Sequence, residues 1–219
     1  MIPGRRKTKK EKHPQTAAEE KANIITHGAG FLLAVVGLVF LLIYSAQMGE
    51  GLRIVSYALY GTSLVLLYLA STLYHSATDP KKKHYLKIFD HSAIYLLIAG
   101  SYTPFALVTL NGATGWLIFS LVWGLALAGI VFKLFFVKRF KIVSTLAYVA
   151  MGWICILVIE PIMNTLPTMG LVWLVAGGLA YTTGVVFYLW DRLPFNHTIW
   201  HLFVMAGSAS HFIAIFLYV

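Results

Sequence analysis

The amino-acid sequence predicts an all-α integral membrane protein, a bundle of seven transmembrane helices. Of its 219 residues, 59% are hydrophobic and only 11% are charged, and apolar tracts of about 20 residues recur along almost the whole chain. A helix needs roughly 20 apolar residues to cross a hydrocarbon core about 30 Å thick. The tracts lack the alternation of barrel strands, and only helices or closed barrels satisfy their backbone in lipid. The composition therefore excludes a soluble domain.

Charged residues, prolines and glycines divide the apolar sequence into the seven spans. A basic, flexible tail is expected over residues 1–22, before a transmembrane domain over residues 23–219. The apolar run after this tail is too long for the core of a secretory signal, so the first helix is expected to stay in the mature protein. In order, the predicted spans cover residues 24–46, 52–75, 88–110, 114–136, 142–160, 169–190 and 196–219.

Lys and Arg residues fall almost entirely on one side of the predicted membrane. The formal net charge is +9, and all 17 of these residues except Arg53 lie in the tail or around the connections after the second, fourth and sixth spans. Cytoplasmic loops carry the excess of Lys and Arg, so the N-terminus is predicted to be cytoplasmic and Val219 to end outside the cell membrane. The charge thus indicates orientation, and nucleic acid is not an expected partner.

Ionisable side chains at membrane depth gather at the cytoplasmic ends of three spans. Such groups cost roughly 2.5 to 3.5 kcal/mol each at a helix centre, so those present usually face the bundle interior and have a function. His197 and His201 are spaced i, i+4, which places both imidazoles on one helix face. His75 ends the second span, and Asp90 opens the third. Three neutral imidazoles leave a fourth position for water at a zinc ion, and a nearby carboxylate can hold or deprotonate that water.

Each of these residues also has a plain structural interpretation. An HxxxH pair at a membrane boundary can simply bond to water or to the backbone. Asp90 can pair with Lys83 or Lys87, and Ser71, one turn before His75, can bond back to a carbonyl of its own helix. The shared depth of these residues on three helices favours a metal site, in which three imidazoles also accommodate other divalent ions of the first transition row.

Four motifs resemble those of the haemolysin-III family. They are SxLYHS at Ser71 to Ser76, FDHSAIYLLIAGSYTPF at Phe89 to Phe105, HTIWH at His197 to His201, and an ExxNxxTHGxG pattern with Glu20, Asn23, Thr26 and His27. The resemblance covers the chain from about Glu19 to Val219. This bacterial family is related to the progestin and adipoQ receptors and, more distantly, to the alkaline ceramidases.

The resemblance implies a seven-helix protein with zinc bound near the cytoplasmic side. It assigns the ligands to His75, His197 and His201, the serine one turn before the first ligand to Ser71, and the aspartate that holds the water on zinc to Asp90. It also implies a pocket that accepts a lipid, because relatives in the wider group hydrolyse ceramide-like amides.

These observations predict a zinc-dependent hydrolase of lipid amides or esters. Asp90 is expected to position the attacking water, and Ser71 to orient the substrate or stabilise the oxyanion. Two alternatives stay open: a cytolytic, membrane-disrupting protein with a structural zinc between the second and seventh helices, and a lipid-sensing, receptor-like regulator. The expected partners are a membrane lipid and a zinc ion.

Three further histidines are expected to have other roles. His211 lies about 15 Å from His201 along the helix, too far for the same metal, and is expected to be buried and hydrogen-bonded. His91 points about 100° around the helix from Asp90, so packing or support of the site is expected. For His27, capping of its helix and support of the site are both expected roles.

Overall fold

Seven long helices build the molecule, and this confirms the fold class predicted from the sequence. The computed structural model describes residues 15–219, and over that range the chain is helical with no strand. Each of the seven helices is long and apolar enough to cross a membrane. We number them α1 to α7, with bounds Ala17–Met48, Gly51–Ser76, Pro80–Leu110, Gly112–Phe136, Lys141–Thr165, Thr168–Leu189 and Asn196–Tyr218.

The outer surface of the bundle is apolar, as expected for a protein surrounded by lipid. Leu32 is 65% exposed, Leu117 67%, and Phe135 and Leu157 are each 74% exposed. A water-soluble monomer rarely carries so much contiguous apolar surface. Such a surface suits contact with lipid tails, and together with the seven long apolar helices it fits a multi-pass membrane protein.

Helices α1 and α3 begin well before the apolar spans predicted from the sequence. Thr16 caps α1, since its side chain accepts from Glu19 N at 3.2 Å while the Glu19 carboxylate accepts from Thr16 N at 2.7 Å. Asp79 caps α3 and accepts from Lys82 N at 2.8 Å. Hydropathy detects only the apolar part of a helix, whereas these caps add polar turns that project beyond it.

The helix starts place charged residues together at one end of the bundle. Because the connections are short and consecutive helices pack together, neighbouring helices run antiparallel. The start of α1 and the connections α2 to α3, α4 to α5 and α6 to α7 therefore lie at the same end, which we call the basic end. The predicted basic tail falls mostly on residues 1–14, which lie outside the described residues, and residues 17–22 belong to α1.

The seven helices pack into a closed ring. Helix α1 contacts both α2 and α7, and α3 contacts α2, α4 and α5. Helix α5 also contacts α6, which packs along α7. Fully buried Tyr57 and Tyr60 of α2 and Ile215 of α7 belong to the core inside this ring. The interior is therefore bordered by helices on every side.

Helices α3 and α5 depart from regular α-helical geometry where they face each other. Proline has no N–H to donate, and directly after Pro104 the segment Phe105–Leu110 forms a wide π-helical turn. In α5, Trp153–Val158 tightens into a 3-10 helix. The Tyr102 hydroxyl joins the two helices by donating to Gly152 O at 2.6 Å. This contact fixes one wall of an internal cleft.

Candidate metal centre

His75, His197 and His201 meet near the basic end of the bundle. The His75 ring centroid lies 5.0 Å from that of His197 and 5.2 Å from that of His201, and the two α7 rings are 4.6 Å apart. One nitrogen from each ring lies within 4.8 Å of the corresponding nitrogens of the other two. Among residues 15–219 no other group of three potential metal-binding side chains converges in this way.

Glu20 of α1 fixes the orientation of the His75 ring. Its Oε2 lies 2.6 Å from His75 Nδ1, and its Oε1 accepts from Lys83 Nζ, also at 2.6 Å. Because a carboxylate can only accept, Nδ1 carries a hydrogen and the Nε2 of a neutral ring keeps a lone pair. His75 Nε2 is buried and has no hydrogen-bond partner. Histidine ligands of metals typically donate their second ring N–H to a carboxylate in this way.

Thr26 of α1 contacts His201 in a similar manner. His201 Nδ1 lies 3.2 Å from Thr26 Oγ1, and the Thr26 hydroxyl donates its own hydrogen to Ala22 O at 2.9 Å. The hydroxyl oxygen is therefore the acceptor for His201 Nδ1, and in the neutral ring Nε2 is left with a lone pair. Thr198 Oγ1 also donates to Asn23 Oδ1 at 2.6 Å. These bonds attach the start of α7 to α1.

His27 stacks on one of the three imidazoles. Its ring centroid lies 3.4 Å from that of His201, with the rings inclined by 10°, and it meets Tyr68 edge-on at 5.0 Å. Both ring nitrogens of His27 are buried and have no hydrogen-bond partner. Since Thr16 caps α1, His27 has no capping role and lies beside the site.

Asp90, His91 and Ser71 complete the polar surroundings of the imidazoles. Asp90 is only 8% exposed, and its Oδ2 lies 2.9 Å from His91 Nδ1. Lys83, one of the ion-pair partners considered for Asp90, pairs with Glu20. Ser71 Oγ is buried and has no hydrogen-bond partner, so it does not bond back to its own helix. A buried hydroxyl and a buried carboxylate thus border the same space.

Two cavities meet at the imidazoles. An apolar cleft extends from them into the bundle between α3, α5, α6 and α7, and its polar end is lined by His27, Ser71, Asp90, His91, His197 and His201. A polar vestibule on the other side is bordered by Glu20, His75, Lys87, Lys141, Asp191 and Asn196. His91, Tyr188 and His197 line both spaces. Of the three converging imidazoles, His197 therefore borders both the apolar cleft and the polar vestibule.

Sequence reasoning identified the three imidazoles but not the side chains that orient them. Glu20 and Thr26 appeared in a motif without a role, and Lys83 appeared only as a partner for Asp90. One signal was available, because Glu20, Asn23 and His27 recur at intervals of three and four residues and so share one face of α1. A polar face on a membrane helix must turn towards the bundle interior.

His211 lies far from the imidazoles but in the same apolar cleft. Its Nε2 lies 3.2 Å from Leu174 O, which agrees with the hydrogen-bonded histidine expected from the sequence. Its Nδ1 is buried and has no hydrogen-bond partner. Sequence reasoning considered only its distance from the metal and missed that His197, His201, Val204 and His211 share one face of α7.

Comparison with known proteins agrees with the motifs. A family model described as haemolysin-III related matches residues 15–212. Hemolysin-3 of Bacillus cereus is 50% identical over 205 residues, which cover 94% of each chain. The Hemolysin-3 homolog of Bacillus subtilis (strain 168) is 51% identical over 203 residues, 93% of this chain and 95% of the relative. Human monocyte to macrophage differentiation factor is 32% identical over 213 residues, 94% of this chain and 87% of the relative.

These similarities extend over both the fold and the site. The family match includes the capped start of α1, all three converging imidazoles and the cleft as far as His211. The two Bacillus relatives cover nearly the whole chain at about half identity. The chain therefore belongs to the haemolysin-III family of multi-pass membrane proteins.

Proposed function

We propose that the protein is a zinc-dependent hydrolase that cleaves an amide or ester bond of a membrane lipid. The observation that carries the proposal is the convergence of three imidazoles, two of which, His197 and His201, line the polar end of an apolar cleft. A carbonyl group of a lipid whose chain lies in that cleft would come next to the imidazoles.

The donor set fits a zinc ion. Three histidine nitrogens with one open position are a common catalytic zinc site, and the unpartnered His75 Nε2 is a donor of the required kind. Glu20 and Thr26 keep Nδ1 of His75 and His201 occupied, so that Nε2 of each ring is the nitrogen offered to a metal. A zinc ion held by His75, His197 and His201 would supply an activated water and polarise the carbonyl.

Asp90 and Ser71 have chemical roles in this proposal. The Asp90 carboxylate borders the same cavity as His197 and His201, where it would accept the proton of the attacking water. The Ser71 hydroxyl has no partner in the protein and would donate to the carbonyl oxygen as negative charge develops there. The apolar cleft would hold the acyl chain, and the vestibule would admit water and release the polar product.

Elemental analysis of the detergent-purified protein tests the metal site. We expect the wild-type chain to contain zinc and the variants His75→Ala, His197→Ala and His201→Ala to lose it. The matched control is His84→Ala, which removes a histidine outside the cluster and should leave the zinc content unchanged. Undiminished zinc in all three cluster variants would overturn the site.

Hydrolysis is tested separately with a panel of lipid amides and esters in mixed micelles, with released fatty acid measured by mass spectrometry. The wild-type protein should release fatty acid, and turnover should disappear with a chelator, return with added zinc and be absent in His75→Ala. Melting curves of the variants show whether the fold is retained. Turnover that survives complete metal removal would contradict the proposal.

Cytolysis is the second candidate, because the Bacillus cereus relative is named Hemolysin-3. In that case zinc would act as a clamp, since His75 belongs to α2 and the other two imidazoles to α7. Dye release from liposomes separates the two candidates. Release without lipid cleavage would favour cytolysis, whereas cleavage without release would favour hydrolysis.

A further inference from the structure

We propose that His211 forms a second polar subsite in the apolar cleft, which recognises a hydroxyl group on the chain of the bound lipid. The inference deepens the proposed function and rests on it, because it assumes that the cleft holds a lipid. It concerns the part of the lipid that lies farthest from the reacting carbonyl.

The first step is the position of His211. It lies ten residues after His201 on α7, about 15 Å along the helix axis and about 80° around it. Both residues line one cavity. A lipid whose carbonyl lies at the imidazoles would therefore extend its chain towards His211.

The second step is the hydrogen bonding of three other polar side chains along the cleft. The Ser101 hydroxyl donates to Ile98 O at 2.8 Å, and the Thr182 hydroxyl donates to Gly178 O at 2.7 Å. The Tyr181 hydroxyl lies 2.9 Å from Ser208 Oγ. These groups already bond to the protein, whereas His211 Nδ1 has no partner. His211, which also lines the cleft, therefore keeps a polar atom that the protein leaves unsatisfied.

The third step is the chemical nature of that atom. Leu174 O can only accept a hydrogen bond, so the Nε2 that lies 3.2 Å from it carries the ring hydrogen. In the neutral ring Nδ1 is then an acceptor, and a buried acceptor without a donor is unfavourable. The complementary group is a hydrogen-bond donor, and on a lipid chain that donor is a hydroxyl.

The fourth step is that the His211 ring is held in place. It packs over Gly177 of α6, where an added Cβ would lie only 2.1 Å from His211 Cδ2. The Tyr181 ring, one turn after Gly177 on α6, also contacts the His211 ring, at a centroid distance of 5.4 Å and inclined by 66°. Because one edge of the His211 ring packs against α6, the ring presents its acceptor nitrogen in a defined direction, as selective recognition requires.

Competition binding to the full-length, detergent-purified protein tests the subsite. The probes are stearic acid and its monohydroxylated derivatives, with the hydroxyl moved stepwise along the chain, each displacing a fluorescent fatty acid. We expect a narrow range of hydroxyl positions to bind about 5- to 10-fold more tightly than stearic acid, the effect of one added hydrogen bond. His211→Phe should bind all members of the series equally.

The control variant is Ser101→Ala, which removes a cleft hydroxyl that bonds to its own helix and should keep the preference. If His211→Phe does not fold, His211→Leu provides the same comparison. A general packing defect would weaken all ligands together, so the ratio between ligands isolates recognition by His211. The subsite is overturned if the wild-type protein binds the whole series equally, as it would if an ordered water occupied His211 Nδ1. It is also overturned if the preference persists in the variants without His211.

This measurement needs neither turnover nor metal, so its failure is distinct from failure of the hydrolase proposal. Loss of zinc-dependent cleavage with an intact preference for hydroxylated chains would count against the proposed function alone. Intact cleavage with no such preference would count against the subsite alone.

Discussion

Single residues outside the ligand set hold the candidate metal centre in shape. Glu20 contacts His75 and Lys83 at once, so it sets which nitrogen of His75 faces the other imidazoles. The substitution Glu20→Gln keeps the size of the side chain but removes the charge that favours both contacts. We expect zinc affinity to fall about 10- to 100-fold, the usual effect of losing such a partner. Competition with a chromogenic chelator measures this change.

The neighbouring carboxylate supplies a matched control for Glu20. Glu19 accepts from Phe195 N at 2.8 Å and takes part in the Thr16 cap, so Glu19→Gln should lower stability but not zinc affinity. With cobalt in place of zinc, the visible spectrum should change in Glu20→Gln and stay the same in Glu19→Gln. Wild-type zinc affinity in Glu20→Gln would contradict the assignment.

Asp90 is predicted to act on the chemical step and not on metal binding. Asp90→Asn keeps the shape of the side chain but cannot accept a proton, so kcat should fall about 10²- to 10⁴-fold while zinc content stays at the wild-type level. Steady-state kinetics on the substrate found in the lipid panel, together with elemental analysis, give both quantities. Loss of zinc from Asp90→Asn would instead indicate that Asp90 is a metal ligand. An unchanged kcat would show that Asp90 takes no part in the chemical step.

The residues of the site were predictable to different degrees. His197 and His201 are one helical turn apart, so their shared face could be read from the sequence. Their meeting with His75 was inferred from shared depth and from the motifs. The contact between Glu20 and His75 joins residues 55 positions apart across two helices, and no spacing rule reveals such a pair. Long-range pairing of this kind depends on how the helices pack.

At the scale of helices, apolar length predicted which segments cross the membrane but not their full extent or their distortions. The polar starts of α1 and α3 depend on the caps Thr16 and Asp79, which hydropathy does not register. The irregular end of α3 directly follows Pro104, whereas the tightened segment Trp153–Val158 contains no proline. Tertiary contacts, such as the Tyr102 hydroxyl on Gly152 O, accompany that distortion.

The close packing of α6 against α7 gives a prediction at this scale. A Cβ on Gly177 would lie 2.1 Å from His211 Cδ2, whereas a Cβ on the adjacent Gly178 would lie an ordinary 3.8 Å from the Trp153 ring. Both Gly→Ala changes gain similar helix propensity. We expect Gly177→Ala to be destabilised by about 1 to 3 kcal/mol relative to Gly178→Ala, because of overpacking. Thermal unfolding in detergent compares the two variants. Equal unfolding midpoints would show that α6 and α7 move apart with no loss of stability.

At the scale of the whole molecule, the bilayer limits the possible folds more strongly than water does. Once each apolar tract has to be a helix, the number of spans follows from counting, and this part of the prediction was the simplest. That count did not predict that α1 packs against α7 and so closes the ring of helices. Packing of α1 against α2 brings Glu20 next to His75. The closure against α7 brings Asn23 next to Thr198 and Thr26 next to the imidazole of His201.

The orientation of the bundle in the membrane is the last prediction. Within residues 15–219 the basic end carries every Lys and Arg except Arg53, and cytoplasmic loops hold such an excess, so we expect the basic end to face the cytoplasm. In a Cys155→Ala background, Glu50→Cys should react with an impermeant thiol reagent added to intact cells. Arg139→Cys, at the basic end, should react only after lysis. The reverse pattern would place the vestibule outside the cell, and the polar product of the proposed reaction would then leave to the exterior and not to the cytoplasm.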